Sequence, residues 1–452
     1  MITTPIFTRI MTTAEYGQYS VFSSWMSILT SVISLNLYAG GYSQGVVKFE
    51  EDRRRYSSSL QGLVLTLVLA WTVFYLAART FWNNLFSLTT TQMLAMFVII
   101  WLSASYSFWS VDQRVDFKYR KLVALTITAS ILQPIVSIAF ILVSEDKVSA
   151  RILGMAFVQV LLYTGTFISQ MIKGKQFFSR KYWIYSMKFN IPLLPHYLSI
   201  NVLSSSDRIM ISSMVGDDQA GIYNLAYSVS LIMTMFNTAL LQTIEPWIYR
   251  KLKEKQIGDL AKVAYPCFFA IAALNILLIM FAPEIIWFFA PPEYYEAIWV
   301  IPSVALSVFF TFLYSFFATF EFFYEKTRYI AGATVGGALL NIVLNYICIK
   351  RFGYIAAGYT TLFGYILFAV LHYYFMRKIC RKHIDNVRPY NLKVIVGIGM
   401  GSMVIGFATM TTYNNFKVRY VFISVMAVVA FLMRRWIMDR LRMVMNIRKG
   451  GA

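Results

Sequence analysis

Thirty-two of the 41 lysines and arginines in this chain fall on alternate connections between about thirteen long apolar segments. A helix of roughly 20 apolar residues crosses a hydrocarbon core about 30 Å thick, so such a chain folds as a bundle of membrane-spanning helices and the alternation of charge orients it. The segments lie near residues 19–46, 58–78, 91–111, 122–143, 150–172, 184–214, 219–247, 260–281, 298–323, 328–349, 354–376, 393–413 and 418–438. Composition agrees, because 58% hydrophobic and only 14% charged residues leave too little polar surface to cover a soluble globule of 452 residues.

The basic connections carry Lys48 with Arg53 to Arg55, then Arg114 to Lys121, Lys173 to Lys188, Arg250 to Lys262, Lys326 with Arg328, Arg377 to Lys393, and Arg434 to Lys449. Under the positive-inside rule this set is cytoplasmic. The other set holds nine basic residues, counting Arg9 and Arg208 near or within spans, and includes Glu145-Asp146, Asp217-Asp218 and Glu293 to Glu296; it faces outward. A net charge of +20 invites a nucleic-acid partner, but the charges sit on short loops beside spans with no separate basic domain. Topology and attraction to anionic headgroups account for them, and no nucleic-acid partner is expected.

Soluble-type catalysis has no visible apparatus. Cys267, Cys348 and Cys380 lie in or beside spans without metal-like spacing, and read as small apolar residues with reduced thiols. His196, His372 and His383 are scattered, and no HExxH, phosphate-loop, GxSxG or dinucleotide motif occurs. The chain is therefore read as a non-enzyme with no metal and no cofactor.

Before the first full segment only Met1 to Glu15 remain, enough for about half a bilayer. Either a span begins upstream, which gives fourteen spans with both ends cytoplasmic, or these residues pack as a partial helix; the first is favoured. An internal echo organises the rest. Arg9-Ile10-Met11 is followed by Gly17-Gln18-Tyr19, and Arg208-Ile209-Met210 by Gly221-Ile222-Tyr223. Two copies about 200 residues apart, both preceding an outer turn, divide an all-α polytopic protein of about 13–14 transmembrane helices into two six-helix lobes in parallel repeat. Residues 1–180 form the N-terminal lobe, 181–388 the C-terminal lobe, and 389–452 an extra helix pair with a basic cytoplasmic tail.

Several runs carry a family likeness. Thr4-Pro5-Ile6-Phe7-Thr8-Arg9 and Ala14-Glu15-Tyr16-Gly17-Gln18-Tyr19 resemble the opening signature of bacterial polysaccharide flippases of the O-antigen and capsule type. Their superfamily also holds multidrug/cation antiporters and the lipid II flippase. The middle is similar as well: Pro192 and Pro195, Ser206-Asp207-Arg208-Ile209, Gly216, Gly221-Ile222-Tyr223, and Pro246 closing the next span. A third stretch runs from Asn341 and Asn345 to Gly353-Tyr354-Ile355-Ala356-Ala357-Gly358. The resemblance implies a central cavity opening alternately to either side of a bacterial inner membrane. Its cargo would be an undecaprenyl-pyrophosphate-linked oligosaccharide for O-antigen, capsule or exopolysaccharide. Implied partners are that lipid-linked oligosaccharide, membrane lipids, and polysaccharide polymerase and chain-length proteins. The alternative is a multidrug or cation antiporter of the same superfamily. A buried carboxylate cluster in one lobe would favour that alternative, and the first half lacks one away from its loops, since Asp112 and Asp116 sit among Arg114 and Lys118.

Polar residues inside spans are costly and mark function by default. Arg9 and Arg208 are candidates for a pyrophosphate or an acidic sugar, because a guanidinium fork donates bidentate bonds and keeps its charge. Arg9 alternatively snorkels to outer headgroups. Asp207 and Arg208 point about 100° apart on a helix and cannot simply neutralise each other, so a cavity or gating role stands beside a structural ion pair. Asn341 and Asn345 share a face behind a run of small residues, for sugar contact or for packing. Glu245 and Glu321 are candidate coupling carboxylates for proton or sodium-ion coupling, with Glu325 four residues beyond Glu321 on the same face. His196 is a candidate titrating group. Pro192, Pro195 and Pro246 interrupt their helices as candidate bending points.

Overall fold

The computed structural model describes residues 3–39, 41–432 and 434–435, and every regular element among them is helical. The chain begins with α1 (Thr4–Ile10), α2 (Thr13–Ser34), α3 (Gly41–Lys48), α4 (Arg53–Ala77), α5 (Arg79–Phe86), α6 (Thr90–Val115), α7 (Tyr119–Leu142), α8 (Lys147–Gly174), α9 (Arg180–Asn190) and α10 (Leu194–Met214). It continues with α11 (Asp217–Lys253), α12 (Leu260–Met280), α13 (Ala282–Phe289), α14 (Ile301–Phe323), α15 (Thr327–Phe352), α16 (Ala356–His383), α17 (Leu392–Met410) and α18 (Phe416–Leu432). Each expected apolar segment holds one long helix. Ten of these are long and apolar enough to cross a membrane. The others are α18, with 17 residues, and α2 and α10, which are long but polar.

Local chemistry explains where the helices start and stop. Thr12 and Glu15 form a reciprocal capping box on α2, with Thr12 N donating to Glu15 Oε2 (2.7 Å) and Glu15 N to Thr12 Oγ1 (3.2 Å). Thr89 and Gln92 do the same for α6. Leu35 and Asn36 adopt left-handed φ of 50° and 47°, so the expected 19–46 segment is corrected to a span ending at Ser34, a turn, and the short α3. Gly216, at φ +146°, separates α10 from α11 in a region that side chains rarely enter. The expected break at Pro246 is also corrected, because α11 runs through it to Lys253. Pro192 instead lies in a one-turn 3-10 segment between α9 and α10, and Pro195 in the first turn of α10, where the missing N–H costs little.

The described residues fall into two compact units. The first lies within Arg9–Ser212 and the second within Met1–Thr8 together with Ser213–Ala452. Thr8 Oγ1 donates to Phe289 O (2.6 Å), which ties the start of α1 to the second unit. In the first unit α8 packs on α4, α6 and α7, and α6 also on α2 and α4. Gly154 on α8 lets it lie against α7, since a Cβ there would stand 2.6 Å from Ser137 Cα. In the second unit α14 packs on α11, α12 and α16, and α15 on α16. The internal pattern repeats: α6 with α8 matches α14 with α16, α7 with α8 matches α15 with α16, and α2 with α6 matches α11 with α14. In addition α17 packs on α12 and α14. The basic tail from residue 436 onward lies outside the described residues.

Candidate functional site

The two polar spans of the first unit satisfy each other. Arg208 Nε on α10 donates to Ser24 Oγ on α2 (3.1 Å), and Asn201 Nδ2 donates to Ser31 Oγ (2.6 Å) and to Ser27 O (3.2 Å). Ser24 and Ser31 are seven apart, as are Asn201 and Arg208, so the contacts recur after two turns on facing stripes of an antiparallel pair. Arg208 also bonds the Ser204 carbonyl of its own helix. Both Asp207 and Arg208 are buried. In an apolar setting such cross-helix bonds hold helices that hydropathy alone would not insert.

A second cluster in this unit surrounds Asp112 on α6. Its Oδ1 accepts from Tyr42 Oη (3.0 Å), and its Oδ2 from Gln170 Nε2 (2.8 Å) and Ser57 Oγ (3.2 Å). Arg53 stands 3.5 Å from Asp112 and 2.6 Å from Asp116, which Lys118 also reaches at 2.9 Å. Gln170 in turn receives a bond from Gln61, and Ser105 Oγ donates to Gln61 Oε1 (2.7 Å). The network thus links α3, α4, α6 and α8. Asp116, in the loop beyond α6, is held below the usual carboxylate range by its bond to Lys118 and by Arg53. The expectation that Asp112 sits among loop charges is corrected: its side chain is 16% exposed and contacts side chains from three other helices, α3, α4 and α8.

The second unit carries its buried carboxylate at a similar place. Glu321 lies two residues before the end of α14, as Asp112 lies three before the end of α6. Glu321 Oε1 is 2.7 Å from His372 Nδ1 on α16, with both side chains enclosed. Its Oε2 has no hydrogen-bond partner among the described residues, whereas Asp112 is saturated. The Tyr314 ring stacks on His372 at 5.3 Å. Glu325 lies past the end of α14 at φ 55°, so it does not share a helix face with Glu321, contrary to the spacing argument. Nearby in sequence, Asn345 Nδ2 donates to Asn341 Oδ1 (3.1 Å), and Thr360 on α16 bonds Asn345.

The remaining candidates stand apart. Arg9 is exposed at the end of α1. Glu245 accepts from Tyr249 Oη one turn on (2.8 Å). His196 is half-buried beside Tyr197, and Pro192, Pro195 and Pro246 are exposed. Other outward basic residues are occupied: Lys147 bonds Ile10 O (2.9 Å), Arg151 stacks 3.5 Å over the Tyr19 ring, and Arg419 pairs with Glu284.

Sequence reasoning missed Asp112, Gln170 and His372. Asp112 and Gln170 are 58 residues apart and Glu321 and His372 are 51 apart, so no local spacing joins either pair. The available signal was an ionisable His372 within an apolar segment.

A family model described as "Polysaccharide biosynthesis protein" matches residues 1–252, and a MatE model matches residues 192–347. A Haemophilus influenzae protein named "Lsg locus putative protein 1" is 26% identical over 214 residues, 44% of this chain and 51% of that protein. An uncharacterized membrane protein of Methanocaldococcus jannaschii is 23% identical over 259 residues, 55% of this chain and 51% of its own. The chain spans about half the length of the curated relatives it matches. Among solved structures, an inward-facing multidrug resistance MATE family transporter of the MOP superfamily superposes with a TM-score of 0.66 at 13% identity, covering 85% of this chain and 95% of that one. A MOP superfamily transporter from Pyrococcus furiosus, described as having a binding pocket of reverse polarity, gives 0.56 at 13% identity, covering 83% and 90%. At these identities the likeness is one of fold.

Proposed function

The chain belongs to the polysaccharide biosynthesis protein family, in the MOP superfamily of membrane transporters, and from that premise we propose that it is a flippase. Its cargo is an undecaprenyl-pyrophosphate-linked oligosaccharide repeat unit, carried by alternating access from the inner to the outer leaflet of a bacterial inner membrane. The observation that carries this reading is the family match over the first 252 residues. Physical chemistry supports it. A pyrophosphate and a sugar do not cross about 30 Å of hydrocarbon unaided, because desolvating charge and hydroxyls costs many kcal/mol. Serine-rich spans such as α2 and α10, the latter also carrying Asn201 and Arg208, lower that cost, while the lipid tail stays in the bilayer. Arg9 and Arg208 are the proposed phosphate or acidic-sugar partners, and a polymerase and chain-length proteins the proposed downstream partners.

Deleting the gene and analysing both surface polysaccharide and its lipid-linked precursor tests the reading. Loss of surface glycan with accumulation of the precursor on the inner leaflet is expected; unchanged surface glycan and precursor overturn it.

A second reading, a proton- or sodium-coupled multidrug antiporter, is favoured by one observation: the enclosed Glu321–His372 pair, which lies wholly beyond the polysaccharide match. Restored drug resistance in an efflux-deficient strain would select it.

A further inference from the structure

Arg114 on α6 lines an open surface cleft of about 470 Å³ in the first unit, together with Tyr38, Ala39, Ser43, Val111 and Val115, and of these Ser43, Arg114 and Val115 are exposed. Its guanidinium faces solvent and is not ion-paired among the described residues. The acids that flank it, Asp112 and Asp116, both turn to Arg53, and Lys118 takes a further bond to Asp116. Arg114 itself makes one hydrogen bond, from Nε to the Ser110 carbonyl of its own helix (3.4 Å), and no ion pair among the described residues. The cleft therefore presents one open guanidinium, two hydroxyls and an apolar wall, beside a cluster that pairs one arginine, Arg53, and one lysine, Lys118, with two carboxylates.

Its frame is well supported. Tyr38 packs edge-on to Phe108 (6.4 Å), and Phe108 packs on Tyr42 (4.6 Å), whose hydroxyl holds Asp112. The Asp112 network thus fixes the turn after α2 and the start of α3 against the end of α6, and places Tyr38 and Ser43 opposite Arg114.

We propose that this cleft docks the diphosphate headgroup of a polyprenyl lipid at the cytoplasmic leaflet, before transport. Arg114 supplies the charge-assisted bonds, Tyr38 and Ser43 donate from their hydroxyls, and Ala39, Val111 and Val115 receive the first isoprene carbons. The proposal rests on the flippase reading for the identity of the lipid, but direct binding tests it without any transport step, so the two fail separately.

The full chain in phosphatidylcholine nanodiscs is titrated with farnesyl pyrophosphate, inorganic pyrophosphate and farnesol. Farnesyl pyrophosphate should bind at least tenfold more tightly than either fragment. Arg114→Ala should weaken it about tenfold or more, Arg114→Lys less, and Arg120→Ala, outside the cleft, not at all. Arg114→Gln, which keeps a long polar side chain, gives the same reading if the alanine variant folds poorly. Equal affinity in a folded Arg114→Gln protein overturns the proposal. Equally tight binding of inorganic pyrophosphate reassigns the cleft to free phosphate, and equally tight binding of farnesol reduces it to apolar adsorption; both overturn the lipid assignment.

Discussion

Glu321 and His372, 51 residues apart in sequence, meet at 2.7 Å inside the second unit with essentially no solvent contact. Removing one partner of a buried hydrogen bond strands the other without compensation and costs about 1–3 kcal/mol. Glu321→Ala and His372→Ala should each lower stability on that scale. Glu321→Gln, which still hydrogen-bonds the imidazole, should lower it less. In thermal unfolding, a double variant whose loss is clearly below the sum of the singles confirms the coupling; additive losses refute it.

Arg208→Ala should make lipid-linked repeat units accumulate on the inner leaflet. Ser24→Ala separates two explanations, since it removes the 3.1 Å bond but leaves the guanidinium in place. If Arg208 meets substrate, Ser24→Ala retains most transport, and Arg208→Lys retains part. Equal defects in Ser24→Ala and Arg208→Ala would assign the arginine to holding α10 on α2 instead.

Asp112 gathers bonds from Tyr42, Ser57 and Gln170 and a contact from Arg53. Asp112→Ala strands those donors and should cost about 3–5 kcal/mol, the range for breaking a buried charged cluster. Asp112→Asn, which keeps the shape and one acceptor oxygen, should cost less. Limited proteolysis between α6 and α7 offers an independent check, with faster cleavage in Asp112→Ala than in Asp112→Asn.

Asp116 is held below the ordinary carboxylate range by Lys118 and Arg53. A carboxyl with a depressed folded value stabilises the fold above its unfolded value, and that contribution is lost as pH falls through the folded value. Wild type and Asp116→Asn should therefore differ most near neutral pH and converge below about pH 4, in unfolding scans across acid pH. A difference that grows on acidification would reverse the sign and refute the assignment. The residue is about one-third exposed, so the effect is small.

Much of the architecture is legible in the sequence. Apolar runs and the charge ladder locate thirteen long helices, because insertion into hydrocarbon depends on the summed transfer cost of a segment and not on its neighbours. The packing of α6 with α8 recurs as that of α14 with α16. Residues at helix ends are legible too, since Thr12 and Glu15 cap α2 through contacts three positions apart. Pro246 misled because an exposed proline within a long helix can be accommodated by local adjustment, so α11 passes through it.

The sequence by itself determined that this chain is helical and membrane-spanning, for these follow from local composition. Only the tertiary structure decided which polar residues meet. It turned Asp112 from a loop charge into the centre of a network, closed His372 on Glu321, aligned Ser24 with Arg208, and set Arg114 beside an open cleft with no ion pair among the described residues. Each outcome depends on side chains from helices distant in the chain being packed within about 3 Å, and hydrogen bonding at that range is set by helix packing, which no local pattern encodes.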